Sequence, residues 1–303
     1  MLKQNSHAIK DSTGDKIFFI FNYIFLAFLA VITLYPMLYV VFCSFSEPNK
    51  YALQQGIMFG PAGFSVIGYQ MVFNMKSIWI GYRNTLFYLV VGTSLSMIWT
   101  IIGAYILSHK DFAIKKIVTF LIVFTMYFGG GMIPTYIIVN KLGINNSVWA
   151  VLLPGAVSVY NMIVMRTNFN SIPSSLIESA TIDGAGDMTV LLRIILPLSG
   201  ASLATITLFY AVGNWSAWYN AMIYLQNRRD LYPLQLYLRE LLILDTSSES
   251  YLTSVNGSSA SNYLLKEIIK YCAIVVATVP ILCVYPFIQK YFVKGVMVGA
   301  VKE

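Results

Sequence analysis

The sequence predicts an all-α, polytopic membrane protein with six membrane-crossing helices and both ends in the cytoplasm. Three observations lead there. Of 303 residues, 57% are hydrophobic and only 11% charged, where soluble domains carry about a quarter charged. Uncharged apolar runs recur at close to the roughly 20 residues that a helix needs to cross the hydrocarbon. Lysines and arginines gather at the ends of those runs, so the net charge of +7 reads as topology and headgroup anchoring. No basic patch with interleaved aromatics accompanies it, which argues against nucleic acid as a partner.

Residues 1–16, MLKQNSHAIKDSTGDK, read as a polar cytoplasmic tail, and 17–303 as a single membrane domain. The apolar run that follows the tail is too long for a signal-peptide core and lacks a small-residue cleavage site, so it reads as an uncleaved anchor. Candidate spans lie within 17–46, 84–108, 117–140, about 146–165, 197 to about 225, and about 268–289, the last containing Pro280 and Pro286. Lys3, Lys10 and Lys16 precede the first span, His109, Lys110, Lys115 and Lys116 fill the second connection, and Lys290, Lys294 and Lys302 follow the last. All three sets fall on one side, which the positive-inside rule makes cytoplasmic. Two longer connections, 47–83 and 226–270, then face outward, and the serine-rich part of the second, 247–262, is expected to be flexible.

Three cysteines, Cys43, Cys272 and Cys283, lie in apolar stretches without CxxC spacing, so neither a disulfide framework nor a zinc site is expected. The histidines are His7 in the tail and His109 in a connection, and no metal-spaced cluster surrounds either. In the third span, Gly129-Gly130-Gly131 and Pro134 break the helical pattern. Such a break is tolerated where neighbours or a cavity satisfy the freed backbone, so Gly130 and Pro134 are candidates for a translocation path. A kink made for packing accounts for them as well.

Between the fourth and fifth spans lies 174–197, SSLIESATIDGAGDMTVLLRIILP. Ser175 followed by Glu178 fits a capping box, which predicts a helix from about Leu176. That helix should stop at Gly184 or Gly186, because glycine adopts the left-handed conformation that ends helices. Ala180 and Gly184, four apart, would let another helix approach closely. Asp187 is expected to cap a second helix, and Pro197 removes one of its hydrogen bonds. The result is a polar helical elbow on a membrane surface, shaped to receive a partner; a plain capped connection carries the same local signals.

The spacing of Glu178-Ser179-Ala180, Gly184, Ile194 and Leu196-Pro197 resembles the cytoplasmic EAA loop of ABC-importer permeases, E-A-A-x3-G-x9-I-x-L-P, with Ser179 in place of the usual alanine. The resemblance implies the type I ABC-importer permease fold, with its core at about 82–289. It also implies that the loop, including Asp183, couples to a separate ATPase, Glu178 meeting a basic residue there. The end of the chain, QKYFVKGVMVGAVK over 289–302, is similar to the Q-[KR]-x-F-V-x-G-x3-G-[AS]-V-K tail of the carbohydrate class that includes the maltose system. It implies a second ATPase contact in the tail 290–303 through Gly295, Gly299 and Lys302, although Glu303 stands where glycine is common. GGGMIPTY and IYLQNRRDLYPLQLYLREL resemble the branch that handles larger oligosaccharides, uronides among them.

The expected spans carry no ionisable side chain at their centres, although ion-coupled carriers usually need one. No G-x4-G-K-[ST] phosphate loop occurs, so the chain is not expected to hydrolyse ATP itself. The end of the fifth span, FYAVGNWSAWYNAMIYLQN, mixes Tyr210, Trp215 and Trp218 with Asn214 and Asn220. Aromatic faces stack on sugar C–H groups and amides bond hydroxyls without needing charge. Taken singly the aromatics also fit an interfacial belt, whereas amides in a span prefer the bundle interior or water.

The sequence thus predicts a non-enzymatic, multi-pass permease of the bacterial cytoplasmic membrane that binds no cofactor, ATP and Mg being held by its partner. The resemblance implies a second homologous permease, an ATPase dimer and an extracellular sugar-binding protein as partners, with a carbohydrate, and specifically an oligosaccharide, as cargo. The same fold importing another solute is the alternative, and a secondary carrier a more distant one.

Overall fold

Apolar helical runs punctuated by glycine and proline give, in the computed structural model, a chain of helices that are repeatedly interrupted. The structure describes residues 12–54, 56–109, 112–244 and 259–300, with side chains up to 243 and over 264–284. Among the described residues every regular element is helical, and Ser46 and Phe64 form an isolated bridge. These residues form two compact units, one from 12–72 with 259–275 and one from 73–244 with 276–300.

In the first unit, α1 (Thr13–Ser44) begins where the Ser12 N–H donates to the Asp15 carboxylate at 2.9 Å and continues through Pro36. It is long and apolar enough to cross a membrane, and none of its span-length window is buried. Its far end is fixed by polar contacts: the Ser44 and Tyr69 hydroxyls lie 2.7 Å apart, and the Cys272 thiol donates to the Ser44 carbonyl at 3.2 Å. Two short helices, α2 (Pro48–Leu53) and α3 (Ile67–Asn74), follow. The Tyr51 hydroxyl in α2 is 3.0 Å from that of Tyr271, and burial pushes its pKa up.

The second unit is organised on α4 (Lys76–Ser108). This helix starts well before the expected residue 84, so Arg83 lies inside it and not in a loop. After it come α5 (Lys115–Tyr127) and α6 (Met132–Lys141), bent 114° at the glycine run, where Gly131 takes φ +82°. The expected fourth span is not one helix. Pro154 and Gly155 divide it into α7 (Val148–Leu152) and α8 (Val159–Asn170), since proline clashes with the preceding turn and cannot donate to it. The elbow helix α9 (Ser174–Ile182) leads to α10 (Asp187–Leu198) and, after an 85° bend at Ser199, to α11 (Gly200–Trp215) and α12 (Tyr219–Tyr224). A 3-10 turn at Arg229–Leu231 and α13 (Leu234–Arg239) replace part of the expected outward loop. The C-terminal helix runs Ser259–Ala300 without a break at Pro280 or Pro286. Among the described residues, three helices are by length and composition able to cross a membrane, or up to five if each bent pair counts as one span.

One core cluster joins α4, α8, α10 and α11 through Ala104, Leu107, Met165, Phe169, Leu191 and Ile206. A separate patch of Tyr88, Leu152, Leu225, Tyr232 and Leu236 holds α13 against the other end of α4. There Leu234 N–H donates to Thr85 Oγ1 at 2.9 Å, and Asn84 Nδ2 donates to the Asp230 and Tyr232 carbonyls at 2.8 and 3.0 Å.

Candidate functional site

The elbow is built by a complete helix stop. Gly184 N–H donates to the Thr181 carbonyl at 3.0 Å and Ala185 N–H to the Ala180 carbonyl at 2.9 Å. With Gly184 at φ +82°, this is the paired termination that favours glycine. The start differs from expectation. Helix α9 begins at Ser174 directly after Pro173 with no side-chain cap, because proline already fixes the entry angle, so the Ser175 and Glu178 capping box does not form. Nor does Asp187 cap α10: Gly186 holds that position and Asp187 is the first helical residue.

Asp187 instead ties the elbow to the end of α4. The Tyr105 hydroxyl donates to the Asp187 carbonyl at 3.1 Å, and His109 Nε2 lies 3.6 Å from the Asp187 carboxylate and 3.2 Å from the Tyr105 hydroxyl. In turn Lys115 Nζ donates to the carbonyls of Ser108 and His109. Between α4 and α9 opens a cavity of about 1060 Å³, lined by Tyr105, His109, Ser171, Glu178, Thr181 and Ile182.

Within the elbow, Glu178, Ser179, Asp183 and Gly184 are exposed. Ala180 is half-buried and packs with Ile177 on the core, so it steadies α9 from within and leaves the outward face to its neighbours. Ile182 is 86% exposed and Met188 66%. Sequence alone assigns apolar side chains such as these to a buried face, since nothing local marks them as outward. Farther along, Ile194 and Leu196 are half-buried, and Pro197 follows a π-helical turn at Leu191–Ile195. Widening that turn accommodates the ring and the missing N–H.

A second site lies nearer the middle of α4. Asn214, Asn220 and Tyr210 border a cavity of about 220 Å³ with Tyr88, Gly92 and Ser96. Asn214 Nδ2 donates to Thr93 Oγ1 at 3.1 Å and Asn220 Nδ2 to the Val151 carbonyl at 3.2 Å. The Tyr210 hydroxyl lies 2.7 Å from Thr100 Oγ1 and accepts from the Ser158 N–H at 3.1 Å. Gly92 leaves the space that Asn214 fills, since a Cβ there would meet its amide at 3.1 Å. The lining offers hydroxyls, amides and aromatic faces without an acid or a base, a surface suited to a neutral polyol ring.

The remaining candidates lie apart from this cavity. Trp215 is buried edge-on against Tyr82, and Trp218 lies under the Arg239 guanidinium at 5.1 Å. Gly130 and Pro134 are exposed at the bend between α5 and α6 and line neither cavity. Gly295 and Gly299 fall in the C-terminal helix, described there by backbone alone, and Lys302 lies outside the described residues, as do 247–258 of the serine-rich stretch. Thr93, Ser96 and Thr100 were missed although their signal is present: buried polar residues recurring at helical spacing in an apolar helix.

Comparison with known proteins places this arrangement. A polygalacturonan/rhamnogalacturonan transport system permease protein, YtcP of Bacillus subtilis (strain 168), is 38% identical over 95% of this chain and 99% of its own. The chain belongs to the permease subunits of ABC sugar transport systems. Protein LplC of the same organism is 38% identical over 98% of both chains, and an arabinooligosaccharides transport system permease protein, AraQ of Halalkalibacterium halodurans, is 26% identical over 91% and 94%. No protein-family model matches the chain. A crystal structure of a bacterial ABC transporter involved in import of the acidic polysaccharide alginate superposes with a TM-score of 0.83 at 33% identity, over 93% of this permease and 99% of that chain.

Proposed function

We propose that this permease carries uronate-containing oligosaccharides into the bacterial cell as one half of a paired membrane channel. A second, homologous permease, an ATPase dimer and an extracellular sugar-binding protein complete the machine, in a six-span topology with both termini cytoplasmic. The observation that carries the sugar part of the reading is the cavity of Tyr210, Asn214 and Asn220, uncharged and built of sugar-compatible groups. One similar protein is named for polygalacturonan/rhamnogalacturonan transport and a similar structure is of a transporter for the acidic polysaccharide alginate, which supports an acidic cargo.

ATP hydrolysis belongs to the partner, whose closure reaches this chain through the exposed face of Glu178, Ser179, Ile182, Asp183 and Gly184. The tail around Gly295, Gly299 and Lys302 is a second contact in this scheme. Because α10 is packed in one core with α4 and α11, a push on the elbow moves the helices that wall the cavity. Such a push shifts the inward–outward equilibrium only by its differential contacts in the two states. The test is uptake of labelled oligogalacturonides into proteoliposomes containing all four components. ATP-dependent accumulation of the acidic oligosaccharide supports the reading; uptake of amino acids in its place, or uptake without the ATPase, overturns it.

A further inference from the structure

Four arginines, Arg83, Arg228, Arg229 and Arg239, lie on the segments around the α13 end of α4, and three of them are accounted for. Arg228 is paired with Asp230 at 2.8 Å, and its hydrogen bond holds the Asp230 carboxyl below the usual range. Arg229 reaches Glu240 at 3.3 Å, a carboxylate that is itself mostly buried. Arg83 donates to the Asp230 carbonyl at 3.4 Å and to Asn84 Oδ1, and its charge also acts on Asp230.

Arg239 differs. Among the described residues no carboxylate pairs with it, and its guanidinium carbon sits 5.1 Å from the centroid of Trp218. A cation–π contact of this kind is a weak attraction. It occupies the face of the guanidinium. The N–H donors point outward in the plane of the group, in the fork that matches a carboxylate with two parallel hydrogen bonds.

Trp218 is 36% exposed and stands between Ala217 and Asn220, both of which line the uncharged cavity. An acidic sugar entering that cavity finds no cation in its lining. The Arg239 guanidinium is laid on Trp218, an aromatic face on which a sugar ring can stack. We infer that Arg239, held flat by Trp218, the residue that follows cavity-lining Ala217 in the chain, binds the carboxylate of a uronate residue and makes this permease select acidic over neutral oligosaccharides. The inference rests on the acidic-cargo reading above and adds the residue that enforces it.

The test compares uptake of trigalacturonate with that of its fully methyl-esterified, neutral counterpart in proteoliposomes of the complete transporter. Arg239→Gln is expected to lower trigalacturonate uptake by roughly tenfold or more, the worth of one charged hydrogen-bond pair, and to leave the neutral ester unchanged. Arg239→Lys, which keeps the charge and loses the fork, should fall between. Because both variants are compared on two substrates in the same assembled complex, a folding or assembly defect shows as equal loss on both. Equal loss in both variants, the mark of a structural or subunit-contact role, overturns the assignment, as does unchanged discrimination in Arg239→Gln. A wild type that takes up only the neutral ester removes the acidic-cargo reading along with it, whereas wild-type selectivity that survives Arg239→Gln removes Arg239 alone.

Discussion

The Tyr105 hydroxyl donates to the Asp187 backbone carbonyl at 3.1 Å, joining the last turn of α4 to the first turn after the elbow. The His109–Asp187 pair beside it is 3.6 Å long with the Asp187 side chain 81% exposed, and exposed ion pairs contribute only about 0–1 kcal/mol. Tyr105 is therefore expected to matter more than the charges. Tyr105→Phe should lower sugar transported per ATP hydrolysed several-fold, and Asp187→Asn less than twofold. Coupling ratios in proteoliposomes check this, and a larger effect of Asp187→Asn would assign the tie to the ion pair instead.

Gly184 is the residue whose conformation the elbow cannot replace. Forcing a side chain into its left-handed φ costs about 1–2 kcal/mol, and Gly184→Trp adds bulk on the face proposed to receive the ATPase. Uptake should be abolished with membrane insertion intact. Normal uptake by an assembled Gly184→Trp transporter would remove the coupling role.

At the cavity, a Cβ on Gly92 would lie 3.0 Å from Leu152 and 3.1 Å from the Asn214 amide. Overpacking of this kind costs about 1–3 kcal/mol. Gly92→Val should cut uptake at least tenfold with basal ATPase activity retained, and Gly103→Val, which faces the flexible end of Met162 away from the cavity, should cut it less. Uptake assayed beside ATPase activity separates the two.

Burial, reinforced by the Glu240 charge, pushes the Tyr237 phenol in α13 up to about 12 from 10.0. Its hydroxyl donates to the Arg229 carbonyl at 2.6 Å. The folded state thus holds this proton more tightly than the unfolded chain does. The stabilisation is fully present below pH 10 and is lost as pH rises through 12. Thermal unfolding in detergent should fall more steeply over that window in the wild type than in Tyr237→Phe. Parallel pH profiles would contradict it.

The elbow was legible because its stop depends on local chemistry, a glycine that accepts positive φ at residue 184. The amides at 214 and 220 were legible because amides in an apolar run need partners. What escaped depends on contacts between segments distant in sequence. Helix α13 read as loop because Leu234, Leu236 and Leu238 are buried by segments distant in sequence, among them α4, where Gly81 lets the Leu234 backbone approach. Span ends shifted for the same reason: hydropathy does not report that Pro154 divides one crossing or that Ser199 turns another by 85°. The Thr93–Ser96–Thr100 wall became visible as a site only once Tyr210 and Asn214 stood opposite it.

The central claim is that the face carrying Ile182 receives the ATPase from the cytoplasm. A cysteine placed there reports it directly, in a Cys283→Ser background because Cys283 is exposed while Cys43 and Cys272 are buried. With a membrane-impermeant maleimide, Ile182→Cys is predicted to react in inside-out vesicles, to be silent in intact cells, and to be protected when the ATPase is bound. Labelling from outside the cell, or labelling that the ATPase leaves unchanged, would contradict it.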